Sequence, residues 1–346
     1  MALTGLMAVF TMTAGCQNSS DEPEKRSASQ AVVIVSGGNA TSPFTTPDQA
    51  CATGLAAGNT DTAAREHLLG KGYTVYTSPA MAGRGQVTDQ TGFGAFGVCP
   101  TTLPENMTVD STASIDTAGE HLARFLNWLN TEKGVTEVDF VAHSMGGLYS
   151  RAAIRVLATT NAPVKVRSLT TIGTPWQGTY LSDYANGALP ISDCLGDKLC
   201  QNAMNVMKAE VTRLMAGSGR EVNQAYLMGQ NGWNQFQSGV LDNIPVVLIA
   251  GKRFTAPAGK ANPAVWPNDG LVAEQSALAK DIGDPVLPHR RCHTFDDTHS
   301  IFVADQAGLD WSDALTWDPE VLDVVAKAIE DAPGALDGAN REGCQA

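Results

Sequence analysis

The chain has 346 residues, 43% hydrophobic and 17% charged, with a formal net charge of −13. That much apolar material can bury a sizeable core, which excludes a disordered chain, and one large α/β domain is a better expectation than two. The acidity, without any cluster of Lys or Arg, excludes a nucleic-acid binder, which needs a basic patch.

The first element is an apolar run over residues 2–14, followed by Gly15-Cys16. A membrane-spanning helix needs about 20 apolar residues, so this run has the length of a signal-peptide core instead. Thr13-Ala14-Gly15-Cys16 resembles a bacterial lipobox, whose cysteine is acylated after cleavage. It departs from that pattern at Thr13, where Leu is usual, and no Lys or Arg precedes the apolar run. Residues 1–16 are therefore expected to be a signal peptide, with Cys16 the lipidation candidate, and the polar residues 17–30 a flexible tether. The expected location is extracytoplasmic, as a cell-surface lipoprotein meeting the membrane through its anchor, or as a secreted form. Of the seven cysteines, setting Cys16 aside leaves six, an even number suited to an oxidising compartment. Position along the chain favours the pairs Cys51–Cys99, Cys194–Cys200 and Cys292–Cys344. A zinc site is the rival reading, but no Cys-x-x-Cys occurs in the chain.

Order is expected to begin at Ala31-Val32-Val33-Ile34-Val35, a run without alternation that suits a strand buried on both faces. A helix over 62–69, a strand over 73–77 and a long Gly-, Thr- and Pro-rich loop over 80–110 follow. Ile115, Ala118, Leu122, Phe125, Leu126 and Leu129 recur at helical spacing and lead through Gly134 to a strand at 137–142. A helix at 148–158, strands at 166–172 and 245–250, and a final helix at 320–329 complete the series. Strands alternating with helices indicate a mostly parallel central sheet flanked by helices, spanning 31–346. The stretch between the strands ending near Ile172 and starting near Ile244 is too long for a simple crossover. With helix-like pieces at 202–215 and 221–228, it reads as a helical cap insertion over about residues 177–240, above the sheet's carboxyl edge.

Ala142-His143-Ser144-Met145-Gly146-Gly147 stands between a buried strand and a helix. This is a nucleophile elbow with Ala at the first small position. A sharp strand-to-helix turn exposes the serine hydroxyl, and small residues on either side let strand and helix pack closely. The helix N-terminus then favours a developing oxyanion.

With this elbow the sequence resembles the bacterial triacylglycerol lipases and esterases of the α/β-hydrolase superfamily. Thr171-Ile172-Gly173-Thr174-Pro175-Trp176-Gln177-Gly178 is similar to their Gly-x-Pro-His-x-Gly stretch, with Trp176 in place of His. Asn268-Asp269-Gly270-Leu271-Val272 is similar to their Asn-Asp-Gly-Val-Val, whose Asp is the triad acid. Ser36-Gly37-Gly38 stands where they usually have His-Gly-x. The matches are short islands between residues 31 and about 305.

The order Ser144, Asp269, His299 is that of nucleophile, acid and base on this fold. His299 lies in a loop running into an apolar segment; His293, beside Cys292, is the alternative base. His143 is expected to pack in the elbow, and His67 and His121 to lie at the surface of helices. The oxyanion would be met by the backbone N–H of Met145 and that of Gly38, with Asn39 the alternative. The implied reaction is ester hydrolysis through an acyl-enzyme, acylglycerol-type esters being the expected substrates and no cofactor being needed. Hydrolysis or transfer of acyl chains on envelope lipids is the alternative, and a surface lipoprotein that only binds is a third reading. Larger relatives hold calcium through an Asp two residues after the catalytic His. Here that place is Ile301, and Asp296, Asp297 and Asp305 read as solvated loop acids.

Overall fold

The structure, a computed structural model, describes residues 29–51, 59–88, 99, 101–213, 217–257, 261–336 and 343–344. The expected signal segment, Cys16 and the tether to residue 28 lie outside the described residues.

The chain opens with β1 (Gln30–Val35), α1 (Asn59–Gly70) and β2 (Val75–Thr77). Two short strands, β3 (Ala80–Met81) and β4 (Val109–Asp110), pair with each other in what reads from sequence as a single loop. Next come α2 (Ile115–Lys133), β5 (Glu137–His143), α3 (Gly146–Thr159) and β6 (Lys165–Ile172). The following segment carries α4 (Tyr180–Ala185), α5 (Lys198–Arg213), α6 (Ser218–Glu221) and α7 (Gln224–Met228). The chain then returns through β7 (Val246–Gly251), α8 (Glu274–Ala277), β8 (Arg290–Phe295), α9 (Ile301–Ala307) and α10 (Pro319–Asp331).

The main sheet has the order β2-β1-β5-β6-β7-β8, and every neighbouring pair is parallel. A parallel sheet needs both faces covered, and β1 shows how the sequence meets that need. Val33 and Val35 pack in the core that contains Leu122, Phe125 and Leu126 of α2 and Leu148 and Tyr149 of α3. Val32 and Ile34 face the other way, into a core with Leu68 of α1 and Val321, Val325 and Ile329 of α10. Burying each such side chain contributes roughly 2 kcal/mol. Helix α2 starts at Ser114, whose hydroxyl accepts the Thr117 amide at 3.1 Å, and stops at Gly134 in the left-handed region, φ 70°. Gly119 lets it close on α3, since a Cβ there would collide with Ala152.

The structure corrects the sequence reading at several further points. Gln30, assigned to the tether, already pairs with Glu137 as part of β1. Residues 290–295, which gave no strand signal, form the edge strand β8. His121 is buried rather than at the surface, its Nδ1 2.7 Å from the Thr108 carbonyl oxygen.

Disulfides join Cys51 to Cys99, Cys194 to Cys200 and Cys292 to Cys344, the pairings expected from the layout of the chain. Between α3 and the segment before β7, the Arg151 guanidinium lies 4.2 Å from the Trp176 ring and 4.8 Å from that of Trp233. Arg151 is fully buried, and its nitrogens meet no hydrogen-bond acceptor among the described residues. Burial, with a smaller push from Arg155, lowers its pKa to about 9. Among the described residues no helix is long and apolar enough to cross a membrane.

Candidate active site

Ser144 sits between β5 and α3 with φ +54°, a region that residues other than glycine rarely adopt. Its surroundings hold it there. Its amide donates to the Ile172 carbonyl at 2.8 Å, and its carbonyl accepts the Thr174 hydroxyl at 2.7 Å. The glycines around it are required by contact. A Cβ at Gly146 would stand 2.5 Å from the Val35 carbonyl oxygen, one at Gly147 would strike Thr174, and one at Gly37 would come within 2.6 Å of the Ser144 Cβ.

Asp269 is fully buried on the loop after β7. Its Oδ1 accepts the amides of Leu271 at 2.9 Å and Val272 at 2.7 Å, which fixes the carboxylate plane. Its Oδ2 lies 2.7 Å from Nδ1 of His299, which is 2% exposed, and its carbonyl accepts the His299 amide at 2.7 Å. A carboxylate at Nδ1 calls for a proton there and leaves Nε2 as the basic nitrogen.

Residues 172–174 join the two halves of the site. Ile172 and Thr174 bind the Ser144 backbone, and Gly173 between them, φ +58°, lies against the His–Asp pair. A Cβ on Gly173 would stand 2.9 Å from His299 Nδ1 and 3.1 Å from Asp269 Oδ2. His143 adds a further tie, its Nε2 donating to the His299 carbonyl at 3.0 Å with the two rings 4.6 Å apart. Burial first, and the neighbouring His299 second, push the His143 pKa down to about 3, so it is neutral when it donates. His293 lies on β8 opposite Ile249. The Asn39 amide donates to the Ser111 carbonyl at 3.1 Å. The Asn39 amide is therefore engaged within the protein, and Met145 stands at the start of α3.

Of the loop acids, Asp296 pairs with Arg253 at 3.3 Å and Asp305 accepts the Trp311 indole N–H at 2.8 Å. Asp297 is buried, contrary to its reading as a solvated acid. Burial, then the carboxylates of Asp318, Asp313 and Asp296, push its pKa from 3.8 up to about 8. An acid raised in the folded state loses stability as pH rises, here from its unfolded pKa of 3.8 to about 8. Asp297→Asn is therefore expected to raise the Tm relative to the parent at pH 9 and to change it little at pH 4, as thermal melts across that range would show.

Residues 101–209, which include the elbow, match the family model described as "Putative serine esterase (DUF676)". A triacylglycerol lipase of Pseudarthrobacter phenanthrenivorans is 38% identical over 71 residues, 20% of this chain and 21% of that one. One of Burkholderia plantarii is also 38% identical over 71 residues, 20% of this chain and 18% of its own length. The chain thus spans about a fifth of the length of the curated relatives it matches. The mature form of the Bacillus licheniformis lipase BlEst2 superposes with a TM-score of 0.45 at 16% identity, covering 88% of this chain and 94% of that one. The chain is similar to serine esterases and triacylglycerol lipases, and its parallel sheet and strand-to-helix elbow give it the α/β-hydrolase fold.

Proposed function

We propose that this protein is a serine carboxylic-ester hydrolase acting on acylglycerol-type esters outside the cytoplasm. The observation that carries the reading is the buried Asp269–His299 pair, tied through residues 172–174 to a serine held at positive φ. In this reading His299 Nε2 takes the Ser144 proton as Oγ attacks the ester carbonyl. Asp269 holds the imidazole and stabilises its positive form. The amides of Gly38 and Met145 receive the oxyanion. The imidazolium then protonates the leaving alcohol, and water, deprotonated by His299, releases the acid from the acyl-enzyme.

The helical insertion between β6 and β7 is the proposed cap. Tyr180 donates to the Gly270 carbonyl at 2.7 Å, and Thr179 donates to that of Leu271 at 2.5 Å. These bonds tie the insertion to the loop bearing Asp269, where it could wall an acyl groove. Export is supported by the three disulfides, which suit an oxidising compartment. Cleavage before Cys16, with acylation of that cysteine as a membrane anchor, is part of the proposal.

The test is hydrolysis of p-nitrophenyl esters from short to long acyl chains, with a fluorophosphonate label mapped by peptide sequencing. Turnover with label on Ser144, and a preference for long chains, is expected. Folded protein with neither turnover nor label would overturn the assignment.

A further inference from the structure

The loop joining β1 to α1 supplies one of the two oxyanion donors in the reading above, yet its own sequence gives it little rigidity. Gly37 and Gly38 have no side chains to anchor, and Gly37 must remain a glycine because it lies against Ser144. The loop is nevertheless held, by a buried carboxylate that the proposed chemistry does not use. Asp61, in the first turn of α1, is 3% exposed; Ser36 and Ser42, on either side of the glycines, are 0% and 1% exposed. The Ser36 hydroxyl donates to Asp61 Oδ2 at 2.5 Å and the Ser42 hydroxyl to the same oxygen at 2.9 Å, with the two hydroxyls 2.5 Å apart.

We propose that Asp61 is a positioning residue, which sets the Gly38 amide by gathering the hydroxyls of Ser36 and Ser42 onto one carboxylate oxygen. The inference rests on the ester-hydrolase reading. Removing a carboxylate from water is costly unless hydrogen bonds replace the lost hydration. Apolar residues would fill three such positions at less cost, so the triangle is better explained by what it fixes than by stability. Closing both ends of the loop on one atom sets its span. The tip is fixed separately by the Ser111 carbonyl, which accepts the Asn39 amide at 3.1 Å and the Tyr149 hydroxyl at 2.9 Å. Tyr149 belongs to α3, so that carbonyl also sets the loop's distance from the helix that begins beside Met145.

Losing the carboxylate leaves two hydroxyls without their shared acceptor, and the Gly38 amide is free to drift. An oxyanion donor acts mainly in the transition state, and a displacement of about 1 Å can cost up to roughly 100-fold in rate. Asp61→Ala is expected to lower kcat per fluorophosphonate-titrated site by about 10–100-fold with KM within about twofold of the parent. Asp61→Asn keeps an acceptor oxygen and should fall between the two. Affinity for a trifluoromethyl ketone, which forms a tetrahedral oxyanion on the serine, should fall in step with kcat. A purely structural role would lower Tm and the titratable fraction without moving kcat per site or this affinity.

Should Asp61→Ala fail to fold, Asp61→Asn and Ser42→Ala carry the same test. Unchanged kcat per site and unchanged ketone affinity in both would overturn the proposal. A parent protein with neither turnover nor label on Ser144 would instead remove the ester-hydrolase reading, and this inference with it.

Discussion

Ser144→Ala is expected to lower kcat by about 10⁵–10⁶-fold while leaving the fold and the melting temperature close to those of the parent. The hydroxyl is the only atom removed, and the bonds that hold residue 144 in its turn come from its backbone, to Ile172 and Thr174. Alanine is strained at φ +54° much as serine is, so the substitution adds no new backbone cost. The fluorophosphonate label should disappear with the activity. Ester turnover above about a hundredth of the parent rate would show that another group attacks the substrate.

His299→Ala should be nearly as damaging, with kcat lower by about 10⁵-fold or more, whereas His293→Ala should stay within about threefold of the parent. The contrast follows from placement. His299 reaches Asp269 at 2.7 Å on the turn after β8, while His293 lies within that strand. His143 cannot take over, because its Nε2 is committed to the His299 carbonyl and its burial opposes protonation. Steady-state kinetics on one activated ester would separate the two variants. A large loss in His293→Ala with activity kept in His299→Ala would reverse the assignment.

Much of this architecture is legible in the sequence, for identifiable physical reasons. β1 and β7 are buried on both faces and therefore appear as nearly unbroken apolar runs, whereas β5 is legible from Phe140-Val141-Ala142 although the buried Asp139 interrupts it. The elbow and the Asn-Asp-Gly turn are local, so their chemistry and their spacing lie close together in the chain. β8 is hidden because its residues are satisfied one at a time. Arg290 donates to the carbonyls of Ala279 and Ile282, Arg291 pairs with Asp331 at 2.9 Å, and Cys292 is in a disulfide. No hydrophobic pattern announces a strand built that way. The burial of His121 is hidden for a similar reason, since the Thr108 carbonyl that allows it lies outside the helix. The engagement of the Asn39 amide depends on Ser111, and the role inferred for Asp61 depends on two serines before its helix. Neither carries a motif, because each is a meeting of segments and not a spacing.

The guanidinium held between two indoles fastens the segment between β6 and β7 to α3. Drawing the Trp233 segment away from α3 would unstack Arg151 on one side, where a desolvated cation–aromatic contact is worth roughly 2 kcal/mol. Trp233 is moored a second time, its indole N–H donating to Asp116 of α2 at 2.9 Å. α4 and α5 are fastened differently: they share a small apolar cluster of their own with Val265 and Trp266, clipped by Cys194–Cys200. The leading end of the insertion is held as well, by Trp176 on the other face of Arg151 and by the Thr179 and Tyr180 hydroxyls on the Leu271 and Gly270 carbonyls, so one buried cation fastens both ends of the insertion to α3.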